Sequence, residues 1–411
     1  MIMKKSFLWI FAFVLIFGCD NGVDPIGDNE PVLRDLTTQE KSLILSSNKF
    51  AFDLFYELNN QDDQANLFFS PLSVEYALAM TLNGSGQETF DVIQEVLKNE
   101  TLNESEINES YQSLTQFLLG IDKTVLLKIA NSVWYRKDLT VKEAFKQAIQ
   151  TYYDASISGL DFNDPGAKEQ INGWVSDKTE GLIKDLIDQI PPDVVMYLIN
   201  AIYFKADWKY QFDKSLTREG PFFLEDASQI QTDLMTVEGA KVGYYSNEIL
   251  RLVDIPYGNG QFSMTILIPA GDHSLKDISD TFDETGFNEW VAMSETAKTT
   301  LTMPKFKIEY KTLLNDALAS MGMGIAFTDQ ADLSRLFENP LDLYISRVIH
   351  QAVIEVNEEG SEAAAATAVE IRETSMPPEP EIIVINQPFI FMIREKFSGT
   401  VLFAGKLMDP S

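Results

Sequence analysis

The side chains best suited to chemistry are few. The chain has two histidines, His273 and His350, and one cysteine, Cys19. No HExxH, CxxC or GxSxG spacing occurs, and no glycine loop follows a strand in the way that cradles a phosphate. A metal site built on imidazole and thiolate would lack ligands, so no metal or other cofactor is expected. The 62 carboxylates offer many chance pairs, but no spacing selects a glycosidase-type acid pair. Asp62-Asp63 and Glu358-Glu359 read as solvated faces, and Met321-Gly322-Met323-Gly324 as a helix end followed by a turn. These residues do not describe an enzyme.

One segment carries a pattern instead, from Glu358 to Pro378. Taken alternately, Ser361, Ala363, Ala365, Thr367, Val369 and Ile371 are all small or apolar. Between them stand Glu362, Ala364, Ala366, Ala368, Glu370 and Arg372, which are small or charged. That is the period of two of a half-buried strand. The same segment is flanked by turn residues and ends in Pro377-Pro378, so it also reads as a loop. Alanine favours helix, but Thr367, Val369, Ile371 and Thr374 are β-branched and oppose it. A stretch able to be loop or strand is the feature to explain.

The elements around it follow from periodicity. Leu36 to Asn59 has a helical stripe of Phe50, Leu54 and Leu58. Ser70-Pro71 opens a helix, with serine as cap and proline in the first turn, continuing through Val74 to Leu82. Glu88 to Leu97 and Val141 to Tyr153 are further helices, while Leu126 to Tyr135 and Met196 to Phe204 are apolar strands. Leu252 to Pro256, Ser263 to Ile268 and Thr300 to Ile308 are strands in a glycine- and proline-punctuated region. Helices early and strands late imply a mixed α+β fold rather than repeated βαβ units. No internal repeat divides the 411 residues.

The formal charge is −30, which disfavours nucleic acid and leaves no basic patch for anionic lipid or sulphated sugar. Lys4, Lys5 and the apolar run Phe7 to Phe17 have the form of an export signal, too short to span a bilayer. The run ends in Ile16-Phe17-Gly18-Cys19, which resembles the lipobox of bacterial lipoproteins. The resemblance implies cleavage before Cys19 and lipidation of its thiol and amine; a plain secretory signal is the alternative. Residues 1–18 are thus expected to be a signal peptide, 19–35 a flexible acidic tether, and 36–411 a folded domain. Without a second cysteine that domain has no disulfide and must depend on its core.

The 358–378 segment also resembles the hinge and reactive centre loop of inhibitory serpins. Four further stretches are similar to that family in order: Asn66-Leu67-Phe68-Phe69-Ser70-Pro71, Asn200-Ala201-Ile202-Tyr203-Phe204-Lys205-Ala206-Asp207-Trp208, Gln387-Pro388-Phe389-Ile390-Phe391 and Phe403-Ala404-Gly405-Lys406-Leu407. The likeness runs from about Leu43 to Pro410. It implies a metastable monomer of three β-sheets and eight or nine helices. A target protease, serine or possibly cysteine, attacks the loop, and the cut loop inserts into the central sheet and traps the acyl-enzyme. The hinge would be Glu358 to Thr367, including Gly360. Trp208, Lys305 and Glu358 would form the breach, and Ser70, Ser73, Asn200 and His350 the shutter. Counting from the hinge sets the bait bond at Thr374-Ser375, with Arg372-Glu373 as the alternative. Thr374 suits elastase-like or subtilisin-like pockets. A non-inhibitory member acting as a binding or chaperone-like module is the rival reading, but nothing bulky or proline-like interrupts Ser361 to Ala368. Basic residues for heparin are not evident, since Leu114 to Trp134 contains only Lys123 and Lys128.

Overall fold

The computed structural model describes residues 30–61, 65–339, 342–361 and 381–411. Cys19, most of the tether, Asp62-Asp63 and the loop residues 362–380, including both candidate bait bonds, lie outside them. The helices are α1 (Thr38–Gln61), α2 (Pro71–Gly84), α3 (Gln87–Val96), α4 (Glu104–Gly120), α5 (Glu143–Tyr153), α6 (Gly166–Lys178), α7 (Leu275–Ser279), α8 (Glu284–Ala292) and α9 (Asn315–Leu318). The first strands are β1 (Leu67–Phe69), β2 (Leu126–Arg136), β3 (Ser156–Leu160), β4 (Met196–Asp207), β5 (Arg218–Phe223), β6 (Gln229–Ser246), β7 (Leu250–Pro256) and β8 (Phe262–Pro269). The rest are β9 (Glu295–Pro304), β10 (Phe306–Leu313), β11 (Ile349–Val356), β12 (Gly360–Ser361), β13 (Glu381–Val384), β14 (Phe389–Glu395) and β15 (Val401–Leu407).

The α+β reading holds. The strands form two hydrogen-bonded networks rather than three separate sheets. A central six-stranded sheet has the order β10-β11-β12-β4-β2-β3. The other, of nine strands, joins two strand sets through β6 and β9, whose register shifts between Glu238 and Ala240. Gly239, at φ +73°, makes that bulge possible. Phe68, Phe391 and Phe403 pack between the networks, and Phe204 of the central sheet meets Phe403 edge-on at 6.3 Å.

Helix α2 crosses this core, and every residue in it but Ala77 is buried. Ser70 caps it as the sequence suggests, its Oγ accepting the Ser73 N–H at 3.1 Å. Four details differ from the sequence reading. Thr300 to Ile308 is two strands, because the chain turns at Lys305 after Pro304; the Lys305 N–H bonds the Asp233 carbonyl at 2.9 Å. Glu358 and Glu359 are not a solvated face but buried, held by partners far away in sequence. Near the end of the tether, the Val32 N–H bonds the Ile121 carbonyl at 3.3 Å, and Arg34 pairs with buried Glu40 beneath the ring of Phe117. Finally, Met321 to Gly324 is a π-helical turn running into a 3₁₀ turn, broken by Gly322 at φ +119°.

Candidate functional site

The hinge enters the central sheet at one point. Gly360 and Ser361 pair with Asp207 and Ala206 of β4, and Ser361 also pairs with Val356 of β11. Among the described residues this two-residue strand is the only ladder joining β4 to β11. Below it, β4 continues for ten residues, Met196 to Lys205, and β11 for seven, Glu355 to Ile349. A cavity of about 330 Å³ opens along this lane, lined by residues of both strands with α2 among its walls. Gly360 is required by close approach: a Cβ there would lie 2.0 Å from the Ala206 carbonyl oxygen.

At the head of the lane the hinge is densely held. The Trp208 indole N–H donates to the Asn357 carbonyl at 2.9 Å, and its ring stacks on Tyr257 with centroids 4.2 Å apart. The backbone N–H groups of Trp208 and Phe212 donate to the carbonyls of Glu359 and Glu358, at 2.8 and 2.9 Å. Lys305 Nζ lies 3.3 Å from Glu358 Oε2, and the Thr217 hydroxyl donates to Glu358 Oε1 at 2.8 Å. Burial works against a charge on Glu358, but its own backbone N–H, Thr217 and Lys305 prevail and hold its carboxyl below the usual range. Glu359 is paired with Lys214. Burial, and next the charge of Glu359, raise the carboxyl of neighbouring Asp207. Tyr257 closes the group with a 2.6 Å hydrogen bond between its hydroxyl and that of Ser361.

The second cluster sits midway down the lane. His350 of β11 is fully enclosed, and burial pushes its imidazole down to about 4, so it is neutral at pH 7. Its Nε2 accepts the Ser70 N–H at 3.1 Å, which leaves the ring proton on Nδ1. Ser70 Oγ donates to the Leu402 carbonyl at 2.7 Å, and Ser73 Oγ to the Asn200 carbonyl at 3.4 Å. The Asn200 amide donates to Asn131 at 2.8 Å, but its Oδ1 is buried without a hydrogen-bond partner. Among the described residues no group of three acids, histidines or cysteines could hold a metal. The arrangement offers no nucleophile with a base beside it. What it offers is a bordered, partly polar lane with β12 at its head.

A family model described as Serpin (serine protease inhibitor) matches residues 45–410. The chain belongs to the serpin family. An uncharacterized serpin-like protein of Methanosarcina acetivorans is 31% identical, covering 99% of this chain and 98% of its own length. The leukocyte elastase inhibitor of Sus scrofa is 34% identical, over 90% of this chain and 100% of that protein. The native crystal structure of the thermophilic serpin tengpin superposes with a TM-score of 0.82 at 30% identity, covering 93% of this chain and 97% of that one.

The structure brings Trp208, Lys305 and Glu358 together at one end of the serpin's lane and Ser70, Ser73, Asn200 and His350 in its middle. Sequence reasoning missed Lys214, Thr217, Tyr257 and Asn131. Lys214 and Thr217 meet Glu359 and Glu358 from 145 and 141 residues away, and no spacing rule links them. Asn131 had a weak signal, as a polar residue inside an apolar strand. Helix α4, which precedes β2, spans Glu104–Gly120 and has no lysine or arginine.

Proposed function

We propose that this serpin inhibits serine proteases as a suicide substrate, and that β12 is the first step of a strand completed after the loop is cut. The open lane carries this reading. Continuing the register of Gly360 and Ser361 would set Ala363 between Phe204 and Ile354, Ala365 between Ile202 and Ala352, and Thr367 between Asn200 and His350. Those strand residues face the core side of the sheet, where Phe204, Ile202, Ile354 and Ala352 are buried. The small alternate residues of the loop would therefore fall on the core face, and Glu362 and Glu370 on the other. Two independent patterns agree, one in the sequence of the loop and one in the register of the sheet.

Attack by a protease serine on the Thr374 carbonyl forms an ester and releases the amine of Ser375. The fourteen residues 361–374, at ~3.3 Å each, then span roughly 46 Å as an inserted strand. The acylated protease is carried along before water can cleave the ester. A short β-branched Thr374 suits the shallow apolar pockets of elastase-like and subtilisin-like enzymes. Cleavage at Arg372-Glu373 by a trypsin-like enzyme would shorten the insertable strand by two residues and favour turnover. Incubation with elastase, subtilisin and trypsin, followed by denaturing electrophoresis, tests the reading. A complex surviving denaturation, with a released fragment beginning at Ser375, is expected. Clean cleavage by all three without a complex would exclude inhibition of these enzyme types.

The same proposal holds the protein at a membrane through a lipid on Cys19. Native protein should enter the detergent phase of a Triton X-114 split and the Cys19→Ala variant the aqueous phase; aqueous partitioning of both would remove the anchor.

A further inference from the structure

The tether joins the domain at the end where the bait loop departs, and the junction carries an apolar patch. The Val32 N–H donates to the Ile121 carbonyl at 3.3 Å, and Asp122 Oδ2, one residue on, accepts the Asn259 N–H at 3.1 Å. The Gly258 N–H donates at 2.9 Å to the carbonyl of Asp207, the residue that pairs with Gly360 of the hinge. A short run of hydrogen bonds thus links the tether to β12. Around the junction Val32, Leu33 and Phe397 are 61%, 47% and 44% exposed. The Phe397 ring lies 5.9 Å from that of Phe117, over which the Arg34 guanidinium sits at 5.3 Å. Phe397 is held in place, because buried Glu395 accepts the N–H groups of Phe397 and Ser398 at 2.8 and 2.7 Å. The charges beside the patch are paired, Arg34 with Glu40 and Lys396 with Asp254.

Scattered exposed aliphatics need no partner, but a cluster held in place marks a contact. Chain length indicates which contact. From Cys19 to Val32 the chain advances by residues of at most ~3.5 Å each, so a lipid on Cys19 lies within about 45 Å of Val32. A folded domain of about 375 residues has a radius of gyration of about 21 Å and is about 55 Å across. Even at full extension the tether is shorter than the domain, so the end bearing Val32 cannot be the pole far from the membrane. We propose that Val32, Leu33 and Phe397 form a lipid-contact face that lies against zwitterionic headgroups and turns the bait end towards the bilayer. The proposal rests on the lipidated Cys19 proposed above. The paired charges leave no free cation to draw anionic lipid, and Asp20, Asp24, Asp28 and Glu30 of the tether would be repelled by it. An apolar patch at the attachment point adds a second signal to the acyl chains and fixes an orientation that the anchor alone leaves free. The enzymes offered the bait are then those working at the membrane surface.

The test uses the lipidated full chain, in which the lipid occupies the single cysteine, so an added cysteine takes one fluorescent label. Phe397→Cys puts the label on the patch, and Tyr344→Cys puts it on a residue 48% exposed that precedes β11, past the far end of the lane. Each chain is bound to phosphatidylcholine vesicles that contain lipids with a nitroxide near the headgroup. A label seated ~5–10 Å into the headgroup boundary should lose about half its emission, and the label at position 344 should keep its own. Val32→Asp with Leu33→Asp in the chain labelled at position 397 should restore the emission while the chain stays on the vesicles. Both residues are exposed, so an unchanged thermal midpoint shows that the variant folds. If loss of the Phe397 ring destabilises the turn, Leu33→Cys carries the label and Val32→Asp the perturbation. Equal loss at positions 397 and 344, or loss at 397 that the aspartates leave unchanged, would overturn the face while leaving the anchor intact. A parent that sediments as a dimer in detergent and an aspartate variant that does not would assign the patch to a second copy instead. A parent that stays in the aqueous phase of the detergent split would remove the anchor and the face together.

Discussion

Gly360→Ala asks how much the two-residue strand at the head of the lane matters. The added methyl would meet backbone, 2.0 Å from the Ala206 oxygen and 2.7 Å from Asp207 Cα, and neither atom can rotate away. Carbon contacts are comfortable at about 3.5 Å, so β12 would withdraw by about 1.5 Å. That is enough to break the Tyr257–Ser361 bond at 2.6 Å and the Trp208–Glu359 backbone bond at 2.8 Å. At about 1 kcal/mol each, with a buried tyrosine hydroxyl left unpaired as well, the loss is about 2–3 kcal/mol. Such a change raises the open fraction of the hinge about 30- to 150-fold. Hydrogen exchange reads this directly, because the amides of Trp208 and Phe212 donate to the hinge carbonyls. Their exchange should accelerate by that factor, and loop insertion after cleavage should slow. Exchange within threefold of the parent would show that the close approach of Gly360 to β4 is not what holds the hinge.

The other predictions concern the lane and the core. Ala365→Arg would bring a charge against Ile202 and Ala352 on insertion, costing several kcal/mol; complexes should give way to clean cleavage, and full trapping would contradict core-side insertion. Thr367→Val keeps the shape but removes the hydroxyl that would meet Asn200 and His350. The rise in thermal midpoint on loop cleavage should shrink, and an equal rise would sever that link. Glu75 is wholly buried, and although Ser47 and Tyr111 donate to it, burial lifts its carboxyl from 4.5 to about 8. Its contribution to stability is full below about 4.5 and fades as pH rises to about 8. Glu75→Gln should therefore flatten the decline in thermal midpoint across that window, and parallel profiles for parent and variant would refute the assignment.

Much of the scaffold was legible because it obeys local rules. Ser70-Pro71 marks the start of α2, and the apolar runs of β2 and β4 stand where the sequence suggested. Helix α4 could have been found too: Asn103 and Glu106 form a capping box that is visible as a spacing. The apolar residues Ala167, Ile171 and Val175 likewise give α6 a helical stripe. The hinge was legible as alternation, but its pairing with β4 and β11 was not, because no spacing links Ser361 to Ala206 or Val356. Burial of Glu358 and Glu359 was not legible at all. Two adjacent acids ordinarily signal solvent, and only folding brings Lys305, Lys214 and Thr217 to them.

The distribution of satisfied and unsatisfied groups explains how a folded chain could remain ready to change. At the head of the lane, Trp208, Tyr257, Thr217, Lys305 and Lys214 all hold partners in the hinge. Along the lane some partners are missing. Asn200 Oδ1 on β4 and Gln351 Oε1 on β11 are buried without partners, and the cavity between the strands is unfilled by the described side chains. Each orphaned acceptor costs about 1–3 kcal/mol, and every ladder bond that β4 and β11 do not make among the described residues adds to the deficit. Part of the deficit lies where a new strand would relieve it, while the strong contacts stand at the entrance, in the register in which that strand would arrive. A chain stabilised evenly would have no reason to move when its loop is cut. In this one two of the unmet acceptors, Asn200 Oδ1 and Gln351 Oε1, stand on the strands that border the lane below Ser361.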